Sequence, residues 1–151
     1  MVGVWVMVGD SFQLLKSPMP TPIVGVVTDP PYGIAFMGSE WDRQGSGLAY
    51  EDWCFEWIRL SLPHLSGGGV IGSFTAARQV HRLERAMRRA GLVEIRRIAW
   101  AYLSGYPKFL DLGKLSEEDV TDRLSQYRHT ALKPAWEPFL IGRYRPVPGC
   151  V

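Results

Sequence analysis

Ile23-Val24-Gly25-Val26-Val27-Thr28-Asp29-Pro30-Pro31-Tyr32 is the stretch on which the fold turns. Its first half is a nearly continuous apolar run, the pattern of a strand buried on both faces of a sheet. Pro30 and Pro31 lack an N–H donor and lock their own φ, so the strand ends there and the backbone before them is restricted. A carboxylate, a fixed carbonyl and an aromatic ring are thereby gathered at a strand's carboxyl end, where open α/β sheets bind their ligands.

Upstream, Val4-Trp5-Val6-Met7-Val8 is β-rich and stops at Gly9-Asp10-Ser11, after which Phe12, Leu14 and Leu15 suit a short helix before Pro18. Downstream, residues 33–47 hold scattered glycines, Trp41 and Asp42 without a sustained period, and read as a surface loop beside the bend. From Glu51, Trp53, Trp57 and Leu60 recur at helical spacing until Pro63. Gly67-Gly68-Gly69 predicts a turn into a strand from Val70 to Phe74. Thr75 is placed to cap a helix whose apolar face is Val80, Leu83, Met87 and Ala90, closed by Gly91. Val93 to Leu103 reads as a strand, Ser104 to Gly113 as a loop, Ser116 to Tyr127 as a short capped helix, and Glu137 to Tyr144 as a closing strand. About five strands alternating with helices imply a mostly parallel α/β sheet in a single domain over 1–151.

With 46% apolar and 21% charged residues the chain is expected to fold as a globular protein. The net charge of +2 does not by itself indicate nucleic acid. Arg78, Arg82, Arg85, Arg88, Arg89, Arg96 and Arg97 gather in one stretch that could touch phosphate, but a solvated helix face is the favoured reading. Cys54 and Cys150 are too few for a disulfide framework, and His64, His81 and His129 lack metal-ligand spacing, so no metal is expected. No apolar run has the form of a signal peptide or membrane span, which implies a cytoplasmic protein. Trp53, Trp57, Trp100 and Trp136 are expected mostly in the core, whereas Trp41 in the loop is a candidate base-stacking residue. Lys108 is a candidate DNA contact.

Asp29 to Tyr32 suit one kind of chemistry. The exocyclic amine of adenine or cytosine is a poor nucleophile, because its lone pair is delocalised into the ring. Asp29 and the Pro30 carbonyl can both accept hydrogen bonds from that amine and localise the lone pair. Consecutive prolines hold the carbonyl in place, and Tyr32 offers a flat face to an extruded base.

Asp29-Pro30-Pro31-Tyr32 also resembles the catalytic motif of the DNA amino-methyltransferases that make N6-methyladenine or N4-methylcytosine. Gly9-Asp10-Ser11, the segment Trp53 to Arg59, Lys133-Pro134 and Trp136-Glu137-Pro138 look like phage-type and bacterial members. The resemblance implies a Rossmann-like sheet with flanking helices, S-adenosylmethionine as methyl donor and DNA as substrate. It assigns Asp29, Pro30, Pro31 and Tyr32 to the target base and Asp10 and Ser11 to the cofactor pocket. With the motif so early in the chain, it is to the circularly rearranged members, in which a Phe-x-Gly-x-Gly cofactor loop comes near the carboxyl end. No such loop occurs in the sequence, and Gly67 to Gly69 precedes a strand instead of following one. The expectation is an incomplete catalytic domain with a partial sheet, one bare strand edge and weak or absent cofactor binding by this chain alone, with a complementing chain as a candidate source of the missing cofactor motif. A noncatalytic DNA-binding or interaction module, or a gene remnant, remains as the alternative.

Overall fold

The computed structural model describes residues 4, 6–19, 21–45, 47–102, 109–110, 129–130 and 135–145. Asp10 starts helix α1 (Ser11–Leu14) by accepting a hydrogen bond from the Gln13 N–H at 3.0 Å. Strand β1 (Ile23–Thr28) follows, and α2 (Leu48–Ser61) crosses over to β2 (Leu65–Phe74). The chain continues through α3 (Val80–Arg89), β3 (Leu92–Ala101), the two-residue strands β4 (Phe109–Leu110) and β5 (His129–Thr130), and β6 (Trp136–Tyr144). The class is α/β, with one four-stranded sheet in the order β1-β2-β6-β3.

β1 and β2 pair in parallel from Gly25↔Val70 to Thr28↔Ser73, as a helical crossover permits and a hairpin does not. β2 and β6 run antiparallel from Val70↔Arg143 to Phe74↔Phe139, so the sheet is mixed where a mostly parallel one was expected. Gly67 to Gly69 do not form a turn ahead of β2; they lie within it, as an irregularity between the pairings Ile23↔Leu65 and Gly25↔Val70. Gly68 has φ +81°, a conformation that side chains disfavour, and its carbonyl accepts a hydrogen bond from Arg143 at 3.0 Å.

The core joins Tyr50, Cys54 and Ile58 of α2 and Leu83, Ala86 and Met87 of α3 to Ile71 of β2 and Leu140 of β6. Of the residues read at helical spacing, Leu83 and Met87 of α3 and Trp57 of α2 are in this core, Trp53, Val80 and Ala90 pack against it half-buried, and Tyr50, Cys54 and Ile58 were not among them. Glu51, 1% exposed, joins the two helices through ion pairs to Arg82, Arg85 and Arg89 at 3.1–3.3 Å. Glu84 binds Arg88 and Arg97, which hold its carboxyl below the usual range. Of the arginine-rich segment, Arg82, Arg85, Arg88 and Arg89 lie on α3 and are paired, whereas Arg78 lies in the turn before it and Arg96 and Arg97 in β3.

Several expectations of burial and capping differ from what the structure shows. β1 is an outer strand whose Val24 and Val27 are 81% and 77% exposed, not a strand buried on both faces. Val4, Val6, Met7 and Val8 are exposed and form no strand among the described residues. Trp100 and Trp136 are also exposed, while Trp57 is buried. Thr75 does not cap α3, since a 3-10 turn over Ala77–Gln79 intervenes and the Thr75 hydroxyl faces Tyr50.

By its contacts the chain forms two compact units, one of residues 1–99 and 138–151 and the other of residues 100–137. In the second, Phe109–Leu110 pairs antiparallel with His129–Thr130, and the Tyr102 N–H donates to the Ala135 carbonyl at 2.8 Å. The expected helix at 116–127 and Lys108 fall outside the described residues. Among those described, no helix is long and apolar enough to cross a membrane, and no cluster of His, Cys, Asp or Glu could hold a metal.

Candidate active site

β1 ends at Thr28 and delivers Asp29 to its carboxyl end, where the two prolines stop the ladder. The chain bends so that the Tyr32 hydroxyl donates to Asp29 Oδ1 at 2.7 Å. Asp29 is exposed, and its Oδ2 makes no hydrogen bond among the described residues, which leaves an acceptor open. Tyr32 is half-buried and is not lost in the core.

Asp29, Pro30 and Pro31 line a cavity of about 660 Å³ together with Ser11, Phe12 and Trp53. Of the two residues assigned to a cofactor pocket, Ser11 shares this cavity with the motif. Asp10 does not line it, and one of its carboxylate oxygens is engaged in capping α1. Phe12 and Trp53 lie with ring centres 5.9 Å apart, and the buried Trp57 lines the same cavity. The walls are largely apolar, with Asp29 supplying a carboxylate and Ser11, Thr28 and Ser61 also among the lining residues.

The far side of the motif is fastened by residues that the sequence did not single out for a site. Asp42, 1% exposed, accepts hydrogen bonds from the backbone N–H groups of Gly33 (2.8 Å), Ile34 (3.2 Å) and Phe36 (2.8 Å). Three amide donors offset the cost of burying its charge. The Gln79 side chain, from the turn after β2, donates to the Tyr32 carbonyl at 3.3 Å. Gly33 has φ +64°, and a Cβ there would fall 2.6 Å from the Tyr50 ring. Tyr50 is wholly buried, with its hydroxyl 3.2 Å from that of Thr75, and burial together with the neighbouring Cys54 raises its phenol pKa well above the ordinary value. The side chain is therefore a neutral wedge under the loop.

A second cleft, of about 590 Å³, opens one residue beyond Tyr32 and is lined by Gly33, Ala35, Asp42, Arg43, Arg78 and Gln79. Trp41, singled out as a stacking candidate, is 62% exposed in the same loop. Only a short signal could have pointed to Asp42, one of two acids, with Glu40, between Gly38 and Gly45, because its partners are backbone amides that carry no residue identity.

Comparison with known proteins gives the fold and the family. M1.HpyAVI, solved in complex with SAM, is similar at 17% identity and a TM-score of 0.56, over 93% of this chain and 53% of that one. TTHA0409 from Thermus thermophilus, provisionally assigned as a DNA modification methylase, is similar at 21% identity and a TM-score of 0.55, over 93% and 53%. At these identities the likeness is one of Rossmann-like fold, and the chain spans about half the length of these solved structures. No curated protein matches the sequence. The family model described as DNA methylase, however, matches residues 23–142, from the first residue of β1 into β6. The chain belongs to the DNA methylase family.

Proposed function

We propose that this chain carries the base-binding half of an S-adenosylmethionine-dependent DNA methyltransferase that acts on adenine N6 or cytosine N4. The reading rests above all on one observation, the Asp29 carboxylate braced by the Tyr32 hydroxyl at 2.7 Å on the rim of a large cavity at a strand's carboxyl end. Asp29 Oδ2 takes one hydrogen of the target amine and the Pro30 carbonyl the other, which localises the nitrogen lone pair. Pro30 and Pro31 keep that carbonyl still, and Tyr32 stacks against the extruded base.

The cavity fits one end of the cofactor. Phe12, Trp53 and Trp57 offer apolar walls to an adenosyl group, Ser11 a hydroxyl, and Asp29 a negative charge near a sulfonium. When bound, the cofactor supplies an electrophilic methyl group. Asp10 acts from outside this cavity, by setting the start of the helix that carries Ser11.

The remainder of the cofactor site, in this proposal, comes with a strand that pairs with the outer edge of β1, as in a motif-first order of segments. Val24 and Val27 exposed along that strand, and the half-length match to the solved structures, favour such completion, whether by the same polypeptide or by a complementing chain. The work would be done in the cytoplasm, where bacterial and phage DNA is reached.

Transfer of labelled methyl groups to DNA tests this, with the chain alone and with a polypeptide carrying a Phe-x-Gly-x-Gly loop. Asp29→Ala is expected to lower the rate at least about 100-fold. No transfer in either mixture, with Asp29→Ala indistinguishable throughout, would leave the noncatalytic module as the better reading.

A further inference from the structure

Beyond the base pocket, and resting on the DNA reading above, we infer that Arg78 and the cleft beside it bind a backbone phosphate next to the target nucleotide. Arg78 lies in the turn Ala77–Gln79 between β2 and α3. Its neighbour Gln79 is 8% exposed and holds the Tyr32 carbonyl at 3.3 Å, so this turn is tied to the motif by a side-chain hydrogen bond. Both residues line the cleft that begins at Gly33. A charge placed there is positioned relative to the base site by packing, not by a free loop.

The state of Arg78 differs from that of most arginines around it. Arg82, Arg85 and Arg89 are paired with Glu51, and Arg88 and Arg97 with Glu84. Arg78 is exposed and makes no ion pair among the described residues. Its guanidinium fork is therefore available for the two parallel hydrogen bonds that phosphate oxygens accept. Arg43, which lines the same cleft, pairs with Glu40 at 2.8 Å, but both side chains are more than half exposed, so that bridge is weak enough to yield to a phosphate. The acid in the cleft is Asp42, whose carboxylate is covered by three amide donors. An enzyme that extrudes a base must hold the strand flanking it, and the basic cleft adjoins the residue that would stack the base.

The test is fluorescence anisotropy of a short mixed-sequence DNA duplex bound by the full chain across a sodium chloride series. Arg78→Gln is expected to weaken binding about 3- to 10-fold and to lower the slope of log affinity against log salt by about 1. Arg78→Lys keeps the charge, so the slope should stay at the wild-type value while part of the affinity is lost. Arg96→Gln removes the same charge from β3, outside the cleft, and should match wild type in both quantities. Melting curves for all variants should superpose, because Arg78 has no ion pair to lose among the described residues. If Arg78→Gln and Arg96→Gln behave alike while the wild type binds DNA and Asp29→Ala abolishes methylation, the phosphate site alone is refuted. If the wild-type chain does not bind the duplex even at low salt, the phosphate site and the DNA reading fall together.

Discussion

Asp42 shows what a single side chain contributes at this site. It fastens the loop backbone at three amides immediately after Tyr32, and an asparagine there would keep one acceptor and present a donor where the second stood. Asp42→Asn is expected to cost about 1.5–3 kcal/mol in urea unfolding and to speed hydrogen exchange at the Gly33, Ile34 and Phe36 amides. Unchanged exchange at those amides would show that the carboxylate is not what fastens the loop. The proline pair and its flanking acid and aromatic were legible as a site because their identities restrict the backbone directly. Asp42, Gln79 and Tyr50 were not, since each acts on backbone atoms or on the space above a glycine, and neither leaves a mark in residue spacing.

Among elements, α3 was read most fully, because Leu83 and Met87 at helical spacing share the face that is the core, whereas in α2 the spacing Trp53, Trp57, Leu60 met the core only at Trp57 and missed Tyr50, Cys54 and Ile58. The link between them was not legible: nothing in the spacing shows that Glu51 turns inward to meet arginines from the next helix. Glu51→Gln replaces three charged contacts with weaker ones, while the arginines keep access to water. A loss of about 2 kcal/mol is expected from denaturant titration, and a value near zero would mean that packing alone unites the helices. β1 was recognised as a strand but misjudged in burial, since an apolar run records what a strand is suited to and not which neighbours are present. The same limit explains Val4 to Val8, a β-prone run that forms no strand among the described residues.

For the molecule as a whole, the α/β class followed from the alternation of strands and helices, whereas the mixed sheet did not, because strand direction is set by connections and β6 returns from a separate unit. Burial in the shared core pushes the Cys54 thiol up to about 12. In the unfolded chain the thiol ionises near its ordinary value of 9.0, so the folded state binds the proton more tightly and stability is full below that pH. Between pH 9 and about 12 stability should fall by up to about 1.4 kcal/mol per unit from this group, with Tyr50 adding in the same direction at higher pH. At pH 8, iodoacetamide should leave the peptide containing Cys54 unmodified until denaturant is added; rapid labelling of the native chain would contradict the sealed core.

The pairing of Val70 with Arg143 also bears on how the chain reaches its native state. β1, α2 and β2 can assemble from neighbouring segments, but β6 must return across about 70 intervening residues, a loop whose closure entropy is lost before any ladder hydrogen bond is gained. Until it arrives, β2 presents an unsheltered flank carrying Ile71, and two such half-built molecules can zip together. Refolding yield should therefore drop steeply with protein concentration, and newly made chains would depend on dilution or a holding chaperone during that interval.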